Sequence, residues 1–295
     1  MTLFKSPETR ERVVPYLLIA PAILYYLAFW VYPVLNSVFT SFRSIDGAFS
    51  LVNYRYIFTD PIFYRALLNT AFIVAVSVSL EFVLAFGLAL LINTKFRGSG
   101  MFLFLAIIPM ALPAVAVGAI WASGFATYGW VNSLLYYLGF IEETAKIPFL
   151  AASPFEAMVL IIIIDAWQVI PFMMIILLAG MQNMKEEMKE AGYIFGGNRW
   201  TVLRSITIPL LRSTITTAVI LRIIAAIQIW LIIVMLFGFQ RLPVLLEELV
   251  YFTDQAQGEA FFRIGLAYSV LVAFIVSIVA VIYLKVSGAF AREEE

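Results

Sequence analysis

The chain has 295 residues, of which 63% are hydrophobic and only 13% are charged, and its 19 basic side chains balance its 19 acidic ones. Soluble domains are about 45–50% apolar and about 25% charged, so this composition excludes a soluble globular enzyme. The sequence contains no cysteine and no histidine, which excludes disulfides, thiolate nucleophiles, imidazole bases and metal sites that depend on these side chains. The balanced charge gives no reason to expect a nucleic-acid partner.

Six apolar runs follow one another along the chain, each long enough to cross a bilayer as a helix. They occupy residues 16–39, 66–92, 101–125, 155–180, 213–238 and 262–285. Lipid requires every backbone amide to be bonded within its own segment, and none of the runs alternates like a barrel strand. The sequence therefore predicts an all-α integral membrane protein with six transmembrane helices over residues 15–290, between polar tails at 1–14 and 291–295.

The basic residues predict the orientation of these helices. With the amino terminus in the cytoplasm, about twice as many Lys and Arg residues fall in the inner segments as in the outer ones. Lys and Arg, rather than net charge, set the topology of membrane proteins. The first run is too long for the apolar part of a signal peptide and is expected to be retained. We therefore expect a multi-pass protein of the cell membrane, surrounded by lipid, with both termini in the cytoplasm.

Three ionisable residues lie well inside the apolar runs, namely Glu81, Asp165 and Arg222. An unpaired charge at mid-bilayer costs at least about 2.5–3.5 kcal/mol, so these side chains are expected to face the bundle interior, water or one another. In one interpretation Arg222 pairs with one of the acids and fixes the packing of the helices. In the other, one of the three lines a path for a polar solute. The sequence leaves open which acid meets Arg222.

The longest inner segment, residues 182–211, is not patterned like a solvated connection. One face of it carries Met184, Met188, Ala191 and Phe195. Their spacings of four, three and four are those of a helix. Gly196-Gly197-Asn198 then predicts a turn, and a second helical stretch follows. Such a knob can lie on the membrane as an amphipathic helix or fit a groove of a soluble partner.

The same segment contains Glu190-Ala191-Gly192, then Gly196 after three residues, Ile206 after nine more, and Ile208-Pro209 after one more. Without gap or insertion, this spacing resembles the signature loop of the permease subunits of ATP-binding-cassette (ABC) importers. That loop runs Glu-Ala-Ala, three residues, Gly, nine residues, Ile, one residue, Leu-Pro. In that family the loop docks into the ATPase subunit. The resemblance therefore implies a docking surface that comprises Met184, Met188, Glu190, Ala191, Gly192, Gly196, Ile206 and Pro209.

Shorter matches over most of the chain are similar to the maltose-type sugar permeases of this family. They are Pro21, Tyr32-Pro33, Ser41-Phe42, Asn53-Tyr54, Asn69-Thr70, Pro109, Trp121, Gly129 and Asn132. One departure lies after the fifth run, where the branch usually has Thr and then Gly-Gly-Pro but this chain has residues 237–243 as FGFQRLP. The resemblance implies the type I ABC importer permease fold.

The resemblance also implies the partners and the mechanism. Two ATPase subunits bind ATP and Mg²⁺, a second and usually non-identical permease completes the membrane part, and an extracytoplasmic solute-binding protein delivers the solute. The membrane helices then alternate between inward and outward openings, with force received through the 182–211 loop. The chain itself has no Gly-x-x-x-x-Gly-Lys-Ser/Thr phosphate loop, so we expect no bound cofactor and no catalytic residue in it.

A sugar presents an apolar ring face and many hydroxyl groups, so its path needs aromatic faces and polar partners. The candidates are Asp165, Trp167, Gln168, Gln228, Trp230, Tyr268 and Ser269. The resemblance points to Gln228 and to Tyr268-Ser269, because polar positions in spans five and six contact the sugar in maltose-type permeases. Ordinary helix packing is the competing explanation for each candidate.

The sequence thus predicts the permease subunit of an ATP-driven, binding-protein-dependent importer for a sugar or oligosaccharide. A permease for another solute, such as a glycerol phosphate, is an alternative because Arg222 could serve an anionic ligand. An intramembrane enzyme that uses carboxylates is a second alternative, although no acidic motif such as Asp-Asp-x-x-Asp is present. The acidic pairs Glu142-Glu143 and Glu247-Glu248 fall in outer segments, and we interpret them as solvated charge.

Overall fold

The structure is a computed structural model that describes residues 7–254 and 258–288. Apart from an isolated β-bridge between Arg43 and Phe49, the regular structure of these residues is helical, which confirms the predicted all-α fold. In chain order the α-helices are α1 (Pro7–Tyr26), α2 (Tyr32–Ser41), α3 (Val52–Thr59), α4 (Pro61–Asn93), α5 (Ser99–Ile107), α6 (Ala114–Phe125), α7 (Trp130–Tyr137), α8 (Pro154–Gln182), α9 (Glu186–Ile194), α10 (Arg199–Val202), α11 (Ile208–Leu210), α12 (Arg212–Ile227), α13 (Leu231–Phe237), α14 (Leu245–Thr253) and α15 (Glu259–Val286).

Four helical segments of the described chain are long and apolar enough to cross a bilayer. They are Pro15–Ser41, Pro61–Asn93, Pro154–Gln182 and Glu259–Val286, and the first of them is continuous because a π-helical turn over Leu27–Val31 joins α1 to α2. Two further candidates are bent pairs, Ser99–Ala111 with Ala114–Phe125 and Arg199–Leu210 with Arg212–Ile227. If each bent pair counts as one span, the total reaches six.

The bent pairs differ from the uninterrupted runs that the sequence predicts at 101–125 and 213–238. The first pair turns by 94° around Leu112, which lies between Pro109 and Pro113. Proline lacks the amide hydrogen that a helix interior needs, so the helix ends there. The second pair turns by 69° before α12, and α12 itself ends at Ile227 rather than running on to residue 238.

The chain divides into two compact units. One comprises the described residues up to Thr59 together with Phe252–Leu271, and the other comprises Asp60–Tyr251 and the described residues from Val272 onward. In the first unit Asn53 closes the connection between α2 and α3. Its Nδ2 group donates to the carbonyl oxygens of Ser41, at 2.8 Å, and Arg43, at 3.1 Å.

The second unit contains two buried apolar clusters, which we call the first and the second core cluster. The first is built mainly from α6, α8 and α13, and includes Ile73, Val117, Phe125, Ile161, Ile164, Ile232, Ile233 and Leu236. The second is built from α4, α8 and α12, and includes Ala85, Ala89, Met173, Met174, Leu177, Met181, Leu211 and Ala218. In the second cluster Ala85 and Ala89 lie one turn apart and are fully buried, and such small residues allow membrane helices to approach closely.

The first residue of α12 holds the end of α15. Arg212 donates from Nε, at 3.0 Å, and from Nη2, at 2.6 Å, to the carbonyl oxygen of Ser287, directly after α15. Carbonyl groups at a helix carboxy terminus lack intrahelical partners, and a cation there is favourable. One side chain therefore joins α12 directly to the carboxy-terminal end of α15.

The interpretation of Glu247 and Glu248 as solvated charge is wrong, since both residues are fully buried. The reason is that the segment before and at the start of α14 folds against α4. The Asn69 side chain donates from Nδ2 to the carbonyl oxygen of Pro243 at 2.9 Å, and the backbone amide of Leu245 donates to Thr70 Oγ1 at 3.0 Å. Glu142 and Glu143, by contrast, are exposed.

The connection between α7 and α8 depends on Asn132, and this yields a first prediction. Asn132 is buried, donates from Nδ2 to the carbonyl oxygens of Thr127 and Ile147, and accepts from the Ile147 amide. Asn132→Ala leaves these groups unpaired, so the free energy of unfolding should fall by about 1–3 kcal/mol. Unfolding of the purified protein in detergent, followed by intrinsic fluorescence, measures the change.

Ser133→Ala is the matched control, because the Ser133 hydroxyl bonds only to the Gly129 carbonyl one turn earlier in the same helix. Its effect should stay within about 0.5 kcal/mol. Equal losses in both variants would show that Asn132 has no special role in this connection.

Candidate functional site

Arg222 forms a buried ion-pair triad with both intramembrane acids. Its Nε donates to Glu81 Oε2 at 2.5 Å and its Nη2 donates to Glu81 Oε1 at 2.9 Å. Nη2 also donates to Asp165 Oδ2. The residue is only 2% exposed, and both acids are buried. The sequence leaves open which acid meets Arg222, and in the structure Arg222 pairs with both of them.

The triad joins three helices at the boundary between the two core clusters. Glu81 lies on α4, Asp165 on α8 and Arg222 on α12. In α4, Glu81 lies between Ile73 of the first core cluster and Ala85 of the second, and in α12 Arg222 follows Ala218 of the second. Bidentate pairing fixes the direction of the guanidinium plane as well as its distance. The triad therefore fixes the register of α4, α8 and α12 against one another.

A break in the helical backbone lies close to this triad along the chain. α12 ends five residues after Arg222, and the amides of Gln228 and Ile229 donate to the carbonyl oxygens of Ala225 and Ala226 in tight turns. Trp230 then has φ −157° and ψ −45°, and α13 begins at Leu231. Neither proline nor glycine occurs between residues 210 and 237, which explains why the sequence predicts an uninterrupted helix here.

Packing fixes the position of this second break. Ile229, Ile232 and Ile233 are buried in the first core cluster, and Trp230 packs against the same cluster. The Gln228 side chain is exposed. Irregular backbone at membrane depth is tolerated only where it is covered by protein or lines a water-filled cavity, and transporters commonly bind their solutes at such broken helices.

The break between α5 and α6 is supported by a side chain of α8. Gln168 donates from Nε2 to the carbonyl oxygen of Leu112 at 3.0 Å. Beside it on α8, Trp167 meets the Trp121 ring edge-to-face, with 5.7 Å between the ring centroids. A carbonyl group that loses its helical partner in an apolar environment needs another donor. The sequence misses Leu112 as a functional position, although the flanking prolines Pro109 and Pro113 mark it.

The seven candidates for the solute path therefore have different surroundings. Asp165 is bonded to Arg222, and Gln168 is bonded to Leu112, whereas Trp167 and Gln228 are exposed. Trp230 is partly buried at the break. Tyr268 and Ser269 belong to the other unit, where Tyr268 stacks on Phe252 with centroids 5.4 Å apart and Ser269 donates to its own helix at the Leu266 carbonyl.

The segment between α8 and α12 forms two helical stretches on either side of a glycine turn. α9 ends at Ile194, Gly196 has φ +83°, and Asn198 caps α10 by accepting from the Thr201 amide at 2.8 Å. A π-helical turn over Leu203–Thr207 connects α10 to α11. Positive φ at Gly196 is a conformation that other residues adopt only with strain.

Gly192, which lies before the turn, serves contacts within the chain. A Cβ atom at Gly192 would lie 2.5 Å from Ile206 Cδ1 and 3.1 Å from Val202 Cγ2. Larger side chains at 192 would therefore separate α9 from the stretch that follows the turn. The small size of Gly192 thus allows α9 to pack against Ile206, and its place in the docking surface stays a prediction.

The tip of this segment exposes a group of large apolar side chains. Ile194 is 83% exposed, Phe195 is 91% exposed and Trp200 is 66% exposed, and Met188 is exposed on α9 as well. Glu190, Ala191, Gly196 and Pro209 are also exposed, whereas Met184, Gly192 and Ile206 are half-buried. Ile194 was absent from the sequence-derived surface because it lies off the Met184–Phe195 stripe. A cluster of large exposed apolar side chains such as this one is typical of an interaction site.

Comparisons with known proteins match most of the chain. The family model described as binding-protein-dependent transport system inner membrane component matches residues 81–288. The trehalose/maltose transport system permease protein MalF of Thermococcus litoralis is 31% identical over 293 residues, covering 96% of both chains. The trehalose transport system permease protein SugA of Mycobacterium tuberculosis is 30% identical over 291 residues, covering 95% of this chain and 91% of the relative.

A solved structure supports the fold independently. A chain from the crystal structure of a bacterial ABC transporter involved in the import of the acidic polysaccharide alginate superimposes with a TM-score of 0.82. The superposition covers 95% of this chain and 97% of the other, at 20% sequence identity. At this identity the likeness establishes a shared fold, which confirms the predicted type I ABC importer permease fold.

The triad yields the second prediction. Arg222→Met leaves two acids buried beside each other without a counter-charge, and the free energy of unfolding should fall by about 3–5 kcal/mol. The triple variant Glu81→Leu, Asp165→Leu, Arg222→Met removes all three polar groups and should recover most of that loss, because well-packed apolar residues often replace a buried ion pair without cost. Detergent unfolding curves of the three proteins measure the difference. A triple variant no more stable than Arg222→Met would contradict this account.

Proposed function

Because the chain belongs to the family of binding-protein-dependent transport system inner membrane components, we propose that it is the permease subunit of an ATP-driven importer for a sugar or oligosaccharide. The observation that carries the proposal is the family match over both the triad and the exposed tip between α8 and α12. Several relatives are permease proteins of trehalose, maltose or lactose transport systems, which supports a sugar as the class of solute.

The exposed tip is the proposed docking surface for an ATPase subunit. Ile194, Phe195 and Trp200 supply large apolar anchors, of the kind that dominate binding energy at interfaces. α9 carries Glu186, Glu187 and Glu190 against a single Lys189. A helix that lies on an anionic membrane surface is instead rich in Lys and Arg. The acidic character of α9 therefore favours a protein partner over the membrane surface.

The proposed assembly contains this chain, a second and non-identical permease, two ATPase subunits that bind ATP and Mg²⁺, and an extracytoplasmic solute-binding protein. A solved structure of this fold is that of a bacterial alginate ABC transporter in complex with an alginate pentasaccharide-bound periplasmic protein, which supports a binding-protein partner. The bias of Lys and Arg toward these segments supports a cytoplasmic location for both termini and for the tip between α8 and α12. The chain itself contributes no catalytic residue in this proposal.

In the proposed mechanism ATP-driven movement of the docked subunits pushes the tip. The chain runs from the tip through α10 and α11 and, after a bend of 69°, into α12, which carries Arg222, so movement at the tip reaches the triad along this helical stretch. The membrane helices then rock between inward and outward openings around the two helix breaks. Gln228 and Trp230 at one break, and Trp167 of α8 near the other, are the proposed contacts of the solute.

The state of the triad counts against the two alternative functions. A permease that selects an anionic solute such as a glycerol phosphate through Arg222 requires a free guanidinium, but Arg222 is buried and bonded to two acids. An intramembrane enzyme that uses Glu81 or Asp165 requires a carboxylate that substrate and water can reach, and both are buried. A neutral solute bound elsewhere in the bundle is consistent with all three groups.

A third prediction concerns the docking surface. Phe195→Ala and Glu190→Ala alter side chains that are exposed, so insertion and stability should stay unchanged. Loss of an aromatic interface anchor costs more than about 1 kcal/mol, so co-purification of the ATPase subunit with the Phe195→Ala protein should fall roughly tenfold and solute-stimulated ATP hydrolysis should fall with it. Affinity purification followed by an ATPase assay in lipid vesicles provides the measurement.

Glu187→Ala is the control for this surface, because Glu187 is exposed on the same helix but lies outside the signature positions. It should retain the partner. Normal partner recovery and transport in both Phe195→Ala and Glu190→Ala would rule out docking at the tip.

A fourth prediction concerns the solute. Gln228→Ala removes an exposed amide at the helix break and one net hydrogen bond of about 0.5–1.5 kcal/mol, so half-saturation of uptake should require about three- to tenfold more sugar. Partner recovery and ATP hydrolysis without solute should stay at the level of the unmodified protein. Gln182→Ala, at the exposed end of α8, is the control. Identical uptake curves for Gln228→Ala and the unmodified protein would remove Gln228 from the solute path.

A further inference from the structure

Two adjacent acids at the start of α14 are buried in contrasting surroundings. Glu247 and Glu248 are both 0% exposed, and α14 lies outside the candidate membrane spans. A buried carboxylate is retained at low cost only where hydrogen bonds or a counter-charge replace water. The partners of each carboxyl group therefore decide which form of it the fold accepts.

Glu247 has the partners that an ionised carboxylate needs. Its Oε1 accepts from the backbone amide of Gln240 at 2.5 Å, and its Oε2 accepts from the backbone amide of Val244 at 3.2 Å. Val244 directly precedes α14, so the second bond satisfies an amide at the helix entry, as the glutamate of a capping box does. Burial raises the pKa of Glu247 above its ordinary value, and the hydrogen bonds from the two backbone amides oppose that rise because they favour the charged form.

Glu248 has no such partners. Among the described residues, neither of its carboxyl oxygens has a hydrogen-bond partner. The charged groups that act on it are Glu247 of its own helix and Asp60, and both are acidic. Asp60 is itself engaged as the cap of α4, where its Oδ1 accepts from the Ile62 amide at 2.8 Å. Within the part of the chain that the structure describes, an ionised Glu248 would therefore face two negative charges without a hydrogen-bond donor or a cation beside it.

We propose that Glu248 is a proton-binding site, which holds a proton while α14 is seated against α4 and releases it when that contact loosens. The proposal stands on the burial of Glu248, on its two unpartnered oxygens and on the two facing acids. It does not rest on the proposed transport of a sugar. The pair thus divides its roles by environment, since Glu247 carries the charge and Glu248 carries the proton.

The electrostatics have the same direction. Burial first, and then the charges of Glu247 and Asp60, raise the pKa of Glu248 from its ordinary value of 4.5 to about 8. A raised pKa of an acid means that the seated state binds the proton more tightly than the unfolded chain does. The seated state therefore loses stability as the pH rises from about 4.5 to about 8 and changes little above that.

Infrared difference spectroscopy tests the proton directly. The full-length chain, purified with the subunits that accompany it, is titrated from about pH 6 to about pH 10. The unmodified protein should lose a carboxylic-acid C=O band with a midpoint near pH 8, and Glu248→Gln should lack this change. The unmodified protein should lose thermal stability between about pH 6 and about pH 8 and change little above that, whereas Glu248→Gln should not show this loss.

Asp60→Asn provides an independent variant that leaves Glu248 in place. Asn caps a helix about as well as Asp, so α4 should begin normally while one of the two facing charges is removed. The midpoint of the band should then move to lower pH, and a midpoint that does not move would contradict the proposal. Because this variant retains Glu248, it decides the question even if Glu248→Gln fails to fold.

Two further results would overturn the proposal. If the band persisted in Glu248→Gln, the proton would belong to another acid. If the midpoint moved when sodium was replaced by a bulky organic cation, a metal cation rather than a proton would neutralise Glu248. A midpoint that is independent of sodium supports proton binding.

Discussion

The structure of the membrane core depends on one guanidinium group that has no access to water. Arg222 can be buried only because Glu81 and Asp165 approach it from two other helices, and each acid can be buried only because Arg222 is there. Desolvation of all three groups is expensive, and their mutual attraction repays it only in good geometry. The main effect of the triad is thus to disfavour misaligned packings of α4, α8 and α12, rather than to add a large net stabilisation. Apolar contacts such as those of Ala85 and Met173 in the second core cluster are not directional, whereas the ion pairs depend on both distance and direction.

The sequence predicts this core well because its signals there are strong. Long apolar runs and the cost of buried charge are enough to predict that Glu81, Asp165 and Arg222 face the bundle interior, water or one another, and pairing is one of the two interpretations that follow. These signals do not show that both acids meet Arg222, because pairing depends on how each helix is rotated about its own axis. The apolar runs leave this rotation undetermined. The break at Gln228–Trp230 is missed for a similar reason. Neither proline nor glycine marks it, and only the burial of Ile229 and Ile232 in the first core cluster determines where the helix ends.

Other misses have a common origin in long-range contacts. The spacing in the 182–211 segment identifies α9, the turn at Gly196 and the resemblance to the signature loop, since all three are local. It does not predict that Gly192, which the resemblance assigns to the docking surface, also packs against Ile206 on the other side of the turn. Glu247 and Glu248 are misjudged in the same way. Two acids in a polar connection are normally solvated, and only the contacts of Thr70 and Asn69 with the chain before and at the start of α14 bury them.

The bond between Arg212 and the end of α15 has a geometric consequence. Arg212 and Arg222 lie ten residues apart on α12, which corresponds to about 15 Å of helix. With Arg222 acting as a fulcrum, a rigid rotation of α12 by about 10° displaces Arg212 by about 2.6 Å along an arc. Such a displacement is nearly the length of the hydrogen bonds that Arg212 makes to Ser287, so these bonds persist only if the Arg212 side chain rearranges or the carboxy-terminal end of α15 moves with α12. α12 is therefore held at two points, in the core by Arg222 and at its first residue by the bonds to Ser287, and the second point couples a tilt of α12 to a helix that is distant in sequence.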